Sequence, residues 1–201
     1  MFTSEKCSVK GCQADKLSGH DTCYHHLEDK KKYKSEIISL IKENDKFLDL
    51  NVSGILLERQ TIENKRFFSC KFSETIIHET KFINCYFRQC FFEYSTFTDC
   101  VFENTNIKFA CFAGSNFSNF KIISSDILHT NFNGAKFADT KITETDLYFS
   151  SFINTLMRDT VFDDCNLKKS SFYYSSRNNV SFRNSNPEEA FFDKWDKVEL
   201  S

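Results

Sequence analysis

Three thiols and an imidazole stand close together near the start of the chain: Cys7, Cys12, Cys23 and His26, spaced Cys-x4-Cys-x10-Cys-x2-His. Thiolate sulfur and neutral imidazole nitrogen are the donors that tetrahedral zinc prefers, and three cysteines with one histidine form an ordinary structural set. The second pair has the usual two-residue gap, the first a gap of four, and His20 and His25 stand as alternatives to His26. The segment around them is polar and has almost no core of its own, so it holds a shape only if something staples it. Four protein ligands leave no open position, which points to structural and not catalytic zinc. Residues 1–28 are therefore read as a zinc-binding segment whose loss of metal loosens residues 1–30 and leaves the rest folded.

No second constellation suggests catalysis. The sequence has no phosphate loop and no nucleophile elbow, and its five glycines are scattered. His78 and His129 have no companion nucleophile in register, and Asp159, Asp163 and Asp164 read as a solvated face. The expectation is a protein that is not an enzyme, with no catalytic residues.

The elements that must position these residues announce themselves by a period of five. From Leu57 to Phe172, every fifth residue is apolar: 24 positions without an insertion, 14 of them Phe. Two residues earlier runs a register of small residues: of the 21 from Cys70 to Ser170, all are Cys, Ser, Thr or Ala except Phe120. Neither the 3.6 period of a helix nor the 2 period of a strand produces this. Cys70, Cys85, Cys90, Cys100 and Cys165 fall in the small register, where a thiol serves as compact apolar filler.

This pattern resembles the pentapeptide-repeat family, whose units read small, any, large apolar, any, any. The resemblance implies an all-β solenoid, a right-handed quadrilateral β-helix in which each unit forms one side and residues twenty apart stack. Six coils at about 4.8 Å give a rod of about 29 Å. A solenoid needs caps at both ends. Tyr33, Ile37, Leu40, Ile41 and Leu48 fall at helical spacing, so residues 29–50 are read as an N-terminal capping helix and 51–186 as the β-helix. Asn186-Pro187-Glu188-Glu189 has the look of a helix start, with Phe191, Trp195 and Val198 on one face behind it, so 187–201 is read as a C-terminal capping helix. Val9-Lys10-Gly11-Cys12 and Cys23-Tyr24-His25-His26 resemble short zinc-binding motifs of bacterial and phage proteins, which often sit beside nucleic-acid-acting domains.

Charge then sorts the function classes. Some proteins of the resembled family imitate duplex DNA and bind type II topoisomerases, protecting them from a toxin or drug. That requires an acidic rod, whereas Leu57 to Asn186 carries 14 acidic and 15 basic residues. Residues 1–56 hold nine of each sign, so a zinc-finger adaptor touching nucleic acid has no electrostatic case, and the run Lys30-Lys31-Lys32-Lys34 reads as a solvated helix face. Neither a leader nor a membrane-length apolar run is evident, which gives a cytoplasmic expectation with no membrane partner. A protein-interaction module is the leading expectation, with the topoisomerase-binding mimic and the zinc-finger nucleic-acid adaptor as alternatives. The repeat places Phe109, His129 and Phe149 in one outward slot, Leu128 and Tyr148 beside them, and Phe91, Cys111 and Tyr86 around the corner. These eight residues form the expected binding face for a protein partner or for a second copy in a homodimer.

Overall fold

The structure, a computed structural model, describes residues 5–194. The rod is a right-handed, four-sided solenoid of parallel strands with about seven turns. Each residue pairs with the one twenty further on. Leu57, Ile77, Phe97, Phe117, Phe137 and Met157 stack in one ladder, and Ile62, Phe82, Phe102, Ile122, Ile142 and Phe162 in a second. The pure Phe column runs from Phe72 through Phe92, Phe112, Phe132 and Phe152 to Phe172, with centroid spacings of 4.6 to 5.1 Å and rings within 11° of parallel.

Corners make the square. From Asp49 to Asn184, every fifth residue has positive φ: 25 non-glycine residues together with Gly54, Gly114 and Gly134. Twelve of these 28 corners are Asn or Asp, the side chains that tolerate the left-handed region best after glycine. The next residue turns inward and must be small. At several Ser and Cys positions the hydroxyl or thiol donates to the carbonyl of the core residue 23 positions earlier, as Ser95 to Phe72 (2.7 Å), Ser115 to Phe92 (2.6 Å) and Cys90 to Phe67 (3.4 Å). Thr130, Thr140, Thr145 and Thr160 instead donate to the carbonyl two residues earlier. The bond across the coil explains why Ser and Cys serve here as well as Ala: the buried polar atom is paired. Burial raises the thiols of Cys85, Cys100 and Cys165 to about 11.

Phe120, the one large residue in the small register, is fully buried among Phe97, Phe102 and Phe117 at 5.0 to 5.7 Å. Its own column carries Ile122 and Ile142 where the preceding coils have Phe82 and Phe102, and the smaller side chains make room for the extra ring.

The ends differ from expectation. Helix α1 spans Lys30–Glu43 and not 29–50, with the Asp29 carboxylate accepting from the Lys32 amide at 2.8 Å. It stops where Asn44 donates both its amide and its side-chain nitrogen back to the Leu40 carbonyl. The rod therefore starts earlier, at Lys46–Leu48, where Phe47 pairs with Phe67 and stacks on its ring at 4.8 Å. Tyr33, Ile37 and Ile41 are buried, whereas Leu40 and Leu48 face solvent. At the far end Pro187–Glu189 forms only a 3₁₀ turn. Phe191 bridges to Ser171, and Phe192 stacks on Phe172 at 5.0 Å, extending the Phe column by one ring. Arg177 takes the place above Met157 and lays its guanidinium 4.7 Å from the Phe192 ring. Trp195 and Val198 lie outside the described residues.

Phe112 lies mid-column between Phe92 and Phe132, far from either end. Phe112→Ala is expected to lower stability by about 3–5 kcal/mol, and a change at the outward Lys108 by no more than about 0.5 kcal/mol. Equal losses in thermal melts would contradict the inward register.

Candidate metal centre and the aromatic face

The N-terminal segment folds as a small knuckle. An antiparallel bridge between Lys6 and Asp15 closes its first loop, with the Cys7 amide donating to Ala14 and the Cys12 amide to Val9. The second half returns through a 3₁₀ turn at Tyr24–His26, where the His26 amide donates to the Cys23 carbonyl. These turns gather Cys7, Cys12, Cys23 and His26 so that their ligand atoms all lie within 4.8 Å of one another. Cys7 Sγ and Cys23 Sγ are each 3.4 Å from His26 Nδ1, and Cys12 Sγ is 3.8 Å from Cys23 Sγ.

Those separations fit a metal tetrahedron. With bonds of about 2.3 Å to sulfur and about 2.0 Å to nitrogen, tetrahedral edges are about 3.8 Å and about 3.5 Å. A disulfide would require about 2.05 Å. Electrostatics point the same way. Burial pushes the Cys7 thiol up, but the Cys23 and Val9 amides and the His26 and Cys23 side chains outweigh it and bring it down to about 6. Cys12 receives a lowering bond from the Ala14 amide, yet burial and the neighbouring Cys23 and Cys7 sulfurs raise it. Three sulfurs this close repel as thiolates, and a divalent cation at their centre removes that repulsion. The two alternative histidines turn away. His20 packs edge-on against Tyr33 at 5.0 Å with Nε2 3.6 Å from Glu36, and His25 points its Nε2 at Glu74, 3.9 Å away.

The knuckle is not the coreless tail that its composition suggests, because it is docked on the first coil. Leu17 and Leu27 belong to the same buried core as the rod. Ser18 exchanges two bonds with Asn51, amide to carbonyl at 2.9 Å and Asn51 amide to Ser18 Oγ at 2.8 Å. Asp15 pairs with Lys71 at 2.7 Å. The Tyr24 ring lies over Gly54, where a Cβ would sit 2.9 Å from it. The lysine run is also more than a solvated face: Lys34 bonds Glu58 at 2.6 Å, and Lys30 lies over the Tyr24 ring at 5.1 Å. None of these contacts carried a signal in periodicity.

The expected binding face is assembled in part. Phe109, His129 and Phe149 stand on three consecutive coils, with centroids 5.1 Å apart at each step, and all three are exposed. Tyr148 closes edge-on to His129 at 5.8 Å. Arg88 lies 6.0 Å from the Phe109 ring and Lys169 5.5 Å from the Tyr148 ring, so a cation caps each end of the row. Tyr86, Phe91, Cys111 and Leu128 are half-buried, as is Tyr148. The knuckle sits over Asn51 and Lys71, one coil short of Phe91, and leaves the row uncovered. A second exposed cluster, Tyr173 with Tyr174 and Phe191 at 6.3 and 6.5 Å, was legible from the same outward slots but was not expected.

Fold and period together define the rod as a parallel β-solenoid built on a five-residue unit. Residues 80–119 match the family described as pentapeptide repeats, in eight copies. A structure of QnrB1, a plasmid-mediated fluoroquinolone resistance protein, is 23% identical, covering 73% of this chain and 78% of that one with a TM-score of 0.46. HetL, a pentapeptide repeat protein involved in heterocyst differentiation regulation from the cyanobacterium Nostoc, is 11% identical, covering 78% of this chain and 95% of that one with a TM-score of 0.42. No curated protein matches the chain. Among the described residues, no helix is long and apolar enough to cross a membrane.

Proposed function

We propose that the protein is a non-enzymatic interaction module: a rigid rod that presents the Phe109–His129–Phe149 row to a protein partner and carries a structural zinc at its N-terminus. The row carries this reading. Its three members are exposed while occupying left-handed corners (φ 56°, 52° and 58°), where bulky side chains are disfavoured. Twenty-five non-glycine corners share that backbone, so it is the aromatic side chains that set this row apart, and aromatic anchors dominate protein interfaces. The balanced charge of the rod weighs against a duplex mimic.

For zinc, Cys7, Cys12, Cys23 and His26 are the holding residues, and the metal would supply a fixed, closed crosslink without a reactive position. Elemental analysis at pH 7.5 should give one zinc per chain. Affinity should climb as pH rises above neutrality, because the raised Cys12 proton has to leave for the sulfur to bind, and collapse below about 6, where Cys7 also takes a proton. Less than about a tenth of an equivalent, after expression with zinc and without chelator, would contradict the assignment.

For the face, replacing Phe109 and Phe149 together with Ser should abolish partner binding or self-association and leave the melting temperature nearly unchanged, since both rings are half in solvent. Unchanged sedimentation and unchanged partner capture would exclude this face.

A further inference from the structure

We propose that the metal centre and the first coil of the rod form one cooperative unit, so that zinc caps the solenoid as well as stapling the knuckle. The inference rests on the zinc reading and concerns what that zinc controls.

A parallel solenoid ends in a coil whose outer edge lacks the partner that every later coil has. Within the rod the rule is regular: the Lys71 amide donates back to the Leu50 carbonyl, and the Val52 amide donates forward to the Lys71 carbonyl. The residue one coil below Lys71 is Asn51, and nothing in the repeat precedes it. Ser18 fills that place. Its Oγ accepts from the Asn51 amide and its own amide donates to the Asn51 carbonyl, which also accepts from Tyr33 Oη at 3.2 Å. The Asn51 side chain donates in turn to the Lys16 carbonyl at 2.8 Å. Leu17, between these two residues, is 1% exposed and plugs the core beneath the first coil. Residues 16–18 thus replace a missing coil on this side, while α1 covers its neighbours with Tyr33, Ile37 and Ile41.

Residues 16–18 owe their position to the metal loop. They lie between Cys12 and Cys23, and the Leu17 amide donates to the Thr22 carbonyl next to Cys23. On the other side of Cys23, Tyr24 is clamped over Gly54. The ligands and the docking contacts therefore alternate along one short segment, and neither set can be released alone. Binding free energies linked in this way are reciprocal: whatever metal does for the coil, the coil does for metal.

The corner glycines provide the test. Gly54 and Gly134 share the left-handed conformation (φ +80° and +69°). A Cβ at Gly54 strikes the Tyr24 ring, whereas at Gly134 the nearest atom is a backbone nitrogen 4.0 Å away. Gly54→Ala and Gly134→Ala thus carry comparable backbone strain, and only the first unseats the knuckle, at a residue that is not a ligand. Zinc affinity would be measured for the full chain and both variants by competition with a chromophoric chelator, and amide exchange with and without metal by mass spectrometry. On the order of a tenfold loss of zinc affinity is expected for Gly54→Ala, with Gly134→Ala unchanged. Zinc removal from the unmodified chain should speed exchange at Asn51, Val52 and Gly54 at least tenfold and leave Phe112 and Ile122 unaffected. One equivalent of zinc whose removal leaves the first coil equally protected would overturn the coupling and keep the metal assignment. Equal affinities for the two variants would overturn it as well, and a chain that takes up no zinc would overturn both.

Discussion

Every five residues the chain must place one residue in the left-handed region, and the rest of the structure depends on that corner. For a non-glycine residue the conformation costs about 1–2 kcal/mol, and 25 such residues adopt it. Burying a Phe or Ile side chain returns about 1.5–3 kcal/mol, so each unit is viable only if its core position holds a large apolar residue. This explains why the apolar register is unbroken and the corners are rich in Asn and Asp. It also explains why the small register uses side chains that can bond a carbonyl across the coil. An insertion would move a corner residue inward and a core residue out, which is the same penalty that fixes register in any strand with one buried face.

The same constraint gives the outward aromatics their meaning. Tyr94, Phe109, Phe149 and Tyr174 occupy corners with φ between 56° and 58° and are all at least half exposed. Asn or Asp would stand there at lower cost. Tyr94 has a local use, since its ring covers Gly114. Phe109 and Phe149 have no such inward task. They flank His129 on the solvent side, and a rigid rod presents them at the fixed coil spacing. A surface fixed by corner strain and core stacking loses little side-chain or backbone freedom when a partner arrives, which favours binding through preorganisation.

Much of this was legible from residue types alone. The apolar and small registers follow from spacing, and the gathering of Cys7, Cys12, Cys23 and His26 within 4.8 Å matches what their donor types suggested, so both could be read without knowing a contact. The left-handed corners carry a weaker signal, because Asn and Asp fill twelve of 28 and the remainder range from Arg59 to Phe149. The helix boundary was misplaced because Leu48 fits a helical stripe, whereas Phe47 fits the period of five, and pairing with Phe67 decides between them. Arg177 hid the final coil by standing in a core slot, although Phe182 and Phe192 continue the stack. Docking of the knuckle was invisible for a different reason. It depends on single contacts of Ser18 and Tyr24 with residues thirty or more positions away, at no repeated interval.

The corner register is tested most directly by backbone chemical shifts of the uniformly ¹³C- and ¹⁵N-labelled protein. The account requires left-handed shifts at every fifth residue from Asp49 to Asn184, bulky Phe109, His129 and Phe149 included, with extended shifts at the core positions between them. Extended shifts at those three aromatic corners, or a left-handed signal that drifts out of step with the period of five, would contradict it.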